Sequence, residues 1–314
     1  MEGTSHRENK GAAWSGPFVA GVVSLLFYGA LFLVPLIGGF VALLSPLPLV
    51  RELALGRPAF TAWGWVLVVL VGGAFLAPSS WLTLAVTGYL LVAVWPTVSV
   101  EVWQRRPWST GRWLAILTLG AWAVASSVAA AFLGPERVAE ELPQLTVRWM
   151  LGHQQTAKLW GLGESELLQA VAGMLGYLTP FLVAIYVMGV GLLLWSKLPL
   201  LGFAQGRESF LAYVSEEWLP LGFVVGGLGW VFAPGAWGWL AANLLACVLA
   251  LYFVHGTAII LAYLGPRWGS SRWVRMAVVV LGIQVPIAFI YAGLGLLDSF
   301  VRLRPSSDNE GSSS

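Results

Sequence analysis

The sequence predicts an all-α, polytopic transmembrane helical bundle of about seven to eight spans, with a broken first helical region and one interfacial amphipathic helix. Composition is the first reason: 58% of the 314 residues are hydrophobic and only 10% are charged, too little polar surface to cover a soluble domain. The second is that stretches free of Asp, Glu, Lys and Arg run from Gly11 to Val50, Pro58 to Val100, Trp113 to Pro135, Leu167 to Ser196, Trp218 to Pro266 and Met276 to Leu297. About 20 apolar residues cross a bilayer, so the longer stretches hold two passes each. The third is the distribution of the 18 tryptophans. Trp81, Trp103, Trp108, Trp195, Trp218, Trp237, Trp239, Trp268 and Trp273 fall at span ends, as in an interfacial aromatic belt.

Residues 1–16 form a polar amino-terminal tail. The apolar run that follows is far longer than a signal-peptide core and lacks a small-residue cleavage site, so Phe18 to Val34 reads as an uncleaved first span. Pro35, Gly38, Gly39 and the SPLP at Ser45 to Pro48 interrupt what comes next. Leu36 to Leu44 therefore reads as a half-helix or kinked extension, whose freed backbone groups need protein or water around them.

Turn signals divide the rest. APSSW at Ala77 to Trp81 splits Pro58 to Val100 into two helices, and APGAWGW at Ala233 to Trp239 splits Trp218 to Pro266. Trp113 to Leu133, Leu167 to Trp195 and Met276 to Leu297 complete the set. Residues 17–304 are thus expected to form a single integral membrane domain, and residues 305–314 a disordered carboxyl tail.

Residues 135–166 are the one long mixed-charge connection. Leu142, Leu145, Trp149, Gly152, Thr156 and Trp160 recur there at helical spacing, which predicts an extramembrane amphipathic helix ending near Gly161 and Gly163. It could lie passively on the membrane, which amphipathicity alone explains, or act as a lid over a cavity on the outer face.

Arg51, Arg57, Arg105, Arg106, Arg112, Lys197, Arg207, Arg267, Arg272 and Arg275 lie on one side of this topology, the side that the positive-inside rule makes cytoplasmic. Arg137, Arg148, Lys158, Arg302 and Arg304 lie on the other, so the carboxyl tail is expected to face outward. Net charge is only +2 and no basic face is present, which argues against nucleic acid as a partner.

Few polar groups sit inside the spans. Gln284, Tyr291 and Asp298 are spaced by sevens, with Ala288 and Gly295 between, so one face of the last span is polar or small. On the preceding span Asn243, Cys247, Ala250 and Thr257 make a narrow stripe, with Tyr252 and His255 on a neighbouring face. A lipid-facing histidine is costly, so His255 is expected to look inward. A lone intramembrane histidine can ligate, relay protons or bind substrate. The lack of a second His, or of a mid-span Asp, Glu or Lys, favours a plain hydrogen bond to a neighbouring helix. Asp298 and Arg302, four apart, are expected to form a structural ion pair at the helix end.

No GxxxxGK[ST] loop, HExxH, CxxC pair or GxSxG elbow is present, and the single Cys247 excludes an internal disulfide or a thiolate metal site. Glu140, Glu141, Glu164, Glu166, Glu208, Glu216 and Glu217 sit in loops beside helix ends with no nucleophile in view. No catalytic residue, metal or cofactor is expected, and the chain reads as a non-enzyme.

NLLACVLALYFVHG at Asn243 to Gly256, GLLDSFVRLR at Gly295 to Arg304, EEWLP at Glu216 to Pro220 and PLPL at Pro46 to Leu49 resemble the YybS-like family, bacterial multi-pass membrane proteins without an assigned activity. Where relatives commonly place glutamine before the glycine, this chain has His255, which keeps hydrogen bonding. The resemblance implies a bacterial inner (plasma) membrane location. It also implies a fold similar to the substrate-binding components of energy-coupling-factor vitamin transporters and to rod-shape membrane scaffold proteins.

Two functions follow as expectations. The first is binding or transport of a small, mostly neutral solute, lined by Asn243, Tyr252, His255, Gln284 and Tyr291 and drawing on separate ATPase subunits; Gly and Pro inside the spans favour it. The alternative is a membrane scaffold or assembly partner whose small and polar stripes bind other membrane proteins; the lack of mid-span charge favours that one. The lipid bilayer is the partner common to both.

Overall fold

The proline and glycine interruptions decide the architecture. A computed structural model of the chain describes residues 10–33, 35–56, 80–152, 166–203, 209–264, 271–301 and 303, and every regular element among them is helical. By its internal contacts the chain falls into two units, Met1–Trp108 with Tyr186–Arg207, and Ser109–Ile185 with Glu208–Ser314. Six helices of the described residues are long and apolar enough to cross a membrane, or seven if one sharply bent pair counts as a span. The chain is an all-α polytopic membrane protein. The further span expected between Pro58 and the APSSW turn lies outside the described residues.

In the first unit, α1 (Lys10–Leu33) is followed by α2 (Pro35–Ala42) and α3 (Leu47–Ala54). The break expected at Pro35 is present. Gly38 allows α2 to fold back on α1, because a Cβ there would overlap the Ala30 carbonyl oxygen. The exposed backbone of this broken region finds a partner in the protein: the Tyr186 hydroxyl donates to the Gly39 carbonyl at 2.6 Å.

Next come α4 (Ser80–Tyr89), a widened π turn at Leu90–Val94 and α5 (Trp95–Arg105). Pro96, which has no N–H to give back to the preceding turn, accounts for the widening. The hydroxyls of Ser24 and Tyr89 are 2.9 Å apart, the Tyr28 hydroxyl donates to Ala85 at 3.0 Å, and the Tyr28 and Tyr89 rings meet edge to face. These contacts join α1 to α4.

The second unit begins at α6 (Thr110–Leu133), whose N-terminus is capped by Ser109: its Oγ accepts the Arg112 N–H at 3.0 Å. The amphipathic segment forms α7 (Val138–Gly152) after a turn at residues 135–137; residues 153–165 lie outside the described residues, and Glu166 opens α8 (Glu166–Tyr177). α7 does not rest on lipid alone. It packs against α8, where a Cβ on Gly176 would come within 2.6 Å of Pro143 Cα, and it also touches α6.

The single span expected over Leu167 to Trp195 is in fact two helices, α8 and α9 (Thr179–Lys197). Pro180, second in α9, cannot donate a backbone hydrogen bond into α8, and the chain turns at Leu178. A 3₁₀ turn, Leu198–Leu201, follows α9, and another, Phe210–Ala212, precedes α10 (Leu219–Phe232).

α10 is shorter than its hydropathy suggested. Its 14 residues rise about 21 Å, short of a hydrocarbon core of about 30 Å. Gly222, Gly226 and Gly229 lay it against Val248, Leu245 and Ala241 of α11 (Gly235–Tyr263), a close approach of the small-residue kind. Gly235, the first residue of α11, takes φ +57°, a value that favours glycine.

The last expected span, Met276 to Leu297, is also broken. α12 (Arg272–Gly282) and α13 (Val285–Val301) meet at a bend of 103° across Ile283 and Gln284, with Pro286 as the second residue of α13. The Tyr263 hydroxyl at the end of α11 donates to the Leu303 carbonyl beyond α13. The carboxyl ends of α11 and α13 therefore lie together, an arrangement expected of a re-entrant pair.

In a Cys247→Ser background, cysteines placed at Ser271 and at Leu303 are expected to react with a membrane-impermeant thiol reagent from the same face. Labelling from opposite faces would mean that the pair crosses.

The aromatic belt holds in part. Trp218, Trp237 and Trp273 are exposed, but Trp103, Trp195 and Trp239 are buried. Buried indoles need acceptors: Trp103 donates to the Trp108 carbonyl at 2.9 Å and Trp239 to the Tyr177 carbonyl at 2.8 Å.

Candidate functional site

α11 is the long central helix of the second unit, and chemistry-bearing groups gather at two places along it. Toward its carboxyl end, His255 is fully buried. Its Nε2 lies 2.9 Å from Asp298 Oδ2 on α13, and its Nδ1 lies 2.8 Å from the Ser215 hydroxyl. Ser215 is 3.4 Å from the Ser299 hydroxyl, and the Tyr213 ring meets the imidazole edge to face.

Local structure explains how these groups converge. Gly256 and Gly295 let α11 and α13 cross at backbone contact, since a Cβ on Gly256 would overlap the Tyr291 carbonyl oxygen and one on Gly295 the Tyr252 carbonyl oxygen. The crossing brings Asp298 onto His255. The Ser209–Trp218 connection is anchored from outside: Glu216 accepts from the Ser109 hydroxyl and from Arg112, whose Nε is 3.1 Å away. Gly111 of α6 makes room for the Val214 carbonyl, which sets Ser215 beneath His255. Burial, with Glu216 adding to it, pushes the Tyr213 phenol up, so this ring stays neutral.

Both ring nitrogens of His255 are engaged. Nε2 faces Asp298 Oδ2 at ion-pair distance without the alignment of a hydrogen bond; the other Asp298 oxygen accepts the Leu303 N–H at 2.6 Å, and Nδ1 shares a hydrogen bond with the Ser215 hydroxyl. A ring protonated on both nitrogens would form an ion pair with Asp298, with Ser215 accepting from Nδ1. Ser, His and Asp are also the residue types of a nucleophilic triad. Here, however, the hydroxyl is buried against Ser299, and the arrangement holds a proton between two helices rather than presenting a nucleophile. No group of three His, Cys, Asp or Glu side chains able to hold a metal occurs among the described residues.

The sequence-derived site residues separate accordingly. Tyr252 joins the His255 cluster, where its hydroxyl is buried within reach of Ser299 but closes no well-aligned hydrogen bond. Tyr291 lies beyond Gly256: its ring stacks on Phe253 at 5.6 Å and its hydroxyl donates to Val278 at 3.2 Å. Gln284 is exposed at the bend between α12 and α13, because that bend breaks the heptad face on which it was placed.

Asn243 sits three turns from His255 and is taken up by the α8–α9 break. Its Nδ2 donates to the Tyr177 and Trp239 carbonyls and its Oδ1 accepts the Phe181 N–H, so it satisfies groups that the two helix ends leave open. Asp298 pairs with His255, and Arg302, its expected partner, lies outside the described residues. Ser215 and Ser299 were not foreseen. A serine next to EEWLP carries no sequence signal until the connection is seen folded under α11.

Comparison of the chain with family models, with curated proteins and with solved structures finds no match. Its function has to be argued from its own geometry.

At the other end of α11 is a cavity of about 760 Å³. Trp122 and Ser126 of α6, Glu136, and Trp237 and Trp239 of α11 form its characteristic walls. The Trp122 Nε1 and the Ser126 hydroxyl are both buried and have no hydrogen-bond partner. Trp237, exposed, stands at the mouth. The carboxyl end of α6 and the start of α7 border this cavity through Ala130, Pro135 and Val138.

Proposed function

We propose that the protein binds a small solute in the cavity at the amino end of α11, in the manner of a transporter's substrate-binding component. One observation carries this reading: two buried donors in an aromatic wall, the Trp122 N–H and the Ser126 hydroxyl, lack partners. An unpaired buried donor costs about 1–3 kcal/mol, and a solute acceptor swung between them would recover that cost. Apolar walls with a few convergent polar groups are the usual form of a small-molecule site. Among the described residues the one charged group in its lining is the Glu136 carboxylate, which suits a neutral or positively charged solute.

The reading is of a non-enzymatic binder in a bacterial inner membrane, working with separate ATPase subunits if it transports, and it retains the YybS-like resemblance. Gly256, Gly295 and Asp298, from the stretches that carry that resemblance, meet at one helix crossing together with His255, the position at which the chain departs from the family, which fits a shared structural core. The His255 cluster then serves to fix α13 and the Ser209–Trp218 connection against α11.

Native mass spectrometry of the protein gently extracted from its own membrane tests the proposal. A stoichiometric small molecule lost in Trp122→Phe and Ser126→Ala supports it. Co-purifying proteins without any small molecule would overturn it in favour of a membrane scaffold.

A further inference from the structure

In the first unit, a cleft of about 720 Å³ opens between α1, α3 and the 3₁₀ turn after α9. Val19, Val23, Phe27, Leu47, Leu55 and Leu200 give it an apolar wall, and Val19, Leu55 and Leu200 are exposed. Among the described residues no side chain fills this space, which at about 30 Å³ per water molecule is far larger than one water needs.

Two cations border the cleft. Arg51 lies in the last turn of α3 and Lys197 ends α9, and both are exposed. One carboxylate, Glu52, is also in the wall, but it is buried and engaged within the protein, so among the described residues the exposed charge at the rim is positive. An apolar slot with a cationic rim between membrane helices has the form of an anionic-lipid site, with acyl chains in the slot and a phosphate at the rim. Arg51 and Lys197 also belong to the arginine-rich face that the charge rule makes cytoplasmic, the face whose lipid surface potential is negative.

We infer that this cleft binds an anionic membrane phospholipid, its phosphate held by Arg51 and Lys197 and its acyl chains lying along α1 and α3. The inference is independent of the solute cavity, which belongs to the second unit.

The test uses the full chain, delipidated in detergent and titrated with phosphatidylglycerol or with phosphatidylcholine of the same acyl composition, bound lipid being counted by native mass spectrometry. Phosphatidylglycerol is expected to bind more tightly. Arg51→Gln and Lys197→Gln are each expected to weaken it about fivefold, and the double variant to fall to the phosphatidylcholine level. Arg51→Lys, which keeps the charge, retains binding, and unchanged phosphatidylcholine binding in every variant reports an intact cleft.

Three results would overturn the inference. Equal binding of the two lipids would leave an apolar groove without headgroup selection. Glycerol 3-phosphate binding as tightly as the lipid would make this a soluble-phosphate site. Loss of phosphatidylglycerol in Arg51→Lys equal to that in Arg51→Gln would remove charge as the cause.

Discussion

Asp298→Ala is expected to destabilise the folded protein by about 1–3 kcal/mol, the cost of leaving buried polar groups without a partner. His255 is fully buried, its Nε2 faces Asp298 Oδ2 at 2.9 Å, and the other Asp298 oxygen accepts the Leu303 N–H. Removing the carboxylate strips partners from a ring nitrogen and from a backbone amide at once. The loss should be read as a shift in denaturant or thermal unfolding in detergent. His255→Leu in the same background should return part of it, because an apolar pair of similar volume needs no compensation.

The double-mutant cycle discriminates between explanations. If Asp298 only paired with a neighbour on its own helix, the two substitutions would add. A coupling near zero, or a loss below about 1 kcal/mol for Asp298→Ala, would match an exposed helix-end pair and sink the buried one.

How much of this could be read from the chain depended on whether the signal was local. Charge-free runs marked most of the membrane helices, because avoiding charge is a requirement on every residue of a span. Pro35 with Gly38 and Gly39 marked the first break correctly, since a cluster of interruptions is itself local. The breaks at Leu178 and at Ile283–Gln284 were hidden. A continuous apolar run reads as one helix, and Pro180 and Pro286 sit where a helix interior and a new helix start look alike in sequence.

The inward orientation of His255 was legible from the cost of exposing it to lipid. Its partner was not, because Arg302 stood four residues from Asp298 and offered a nearer explanation. The cavity near Trp122 was missed for a similar reason: tryptophans at span ends have a sufficient account in the interface, and only burial without a partner separates Trp122 from Trp237.

The crossing of α11 and α13 is where a single methyl group should matter most. In Gly295→Ala the new Cβ would overlap the Tyr252 carbonyl oxygen and approach Gly256 N within 3.0 Å, and in Gly256→Ala it would overlap the Tyr291 carbonyl. Backbone of a packed helix cannot swing aside as a side chain can, so each change is expected to cost about 3 kcal/mol or more, at the upper end of overpacking effects. Spreading the two helices would also pull Asp298 from His255, so Gly295→Ala and Asp298→Ala should be less than additive. Gly293, two residues earlier on α13, is the control. A Cβ there meets nothing within 4 Å, and Gly293→Ala should be neutral or stabilising by up to about 1 kcal/mol through helix propensity alone. Unfolding midpoints of the three variants measured side by side decide the matter: equal midpoints would mean that the helices do not touch at Gly256 and Gly295, whereas loss at those two positions with none at Gly293 is what contact through glycine requires.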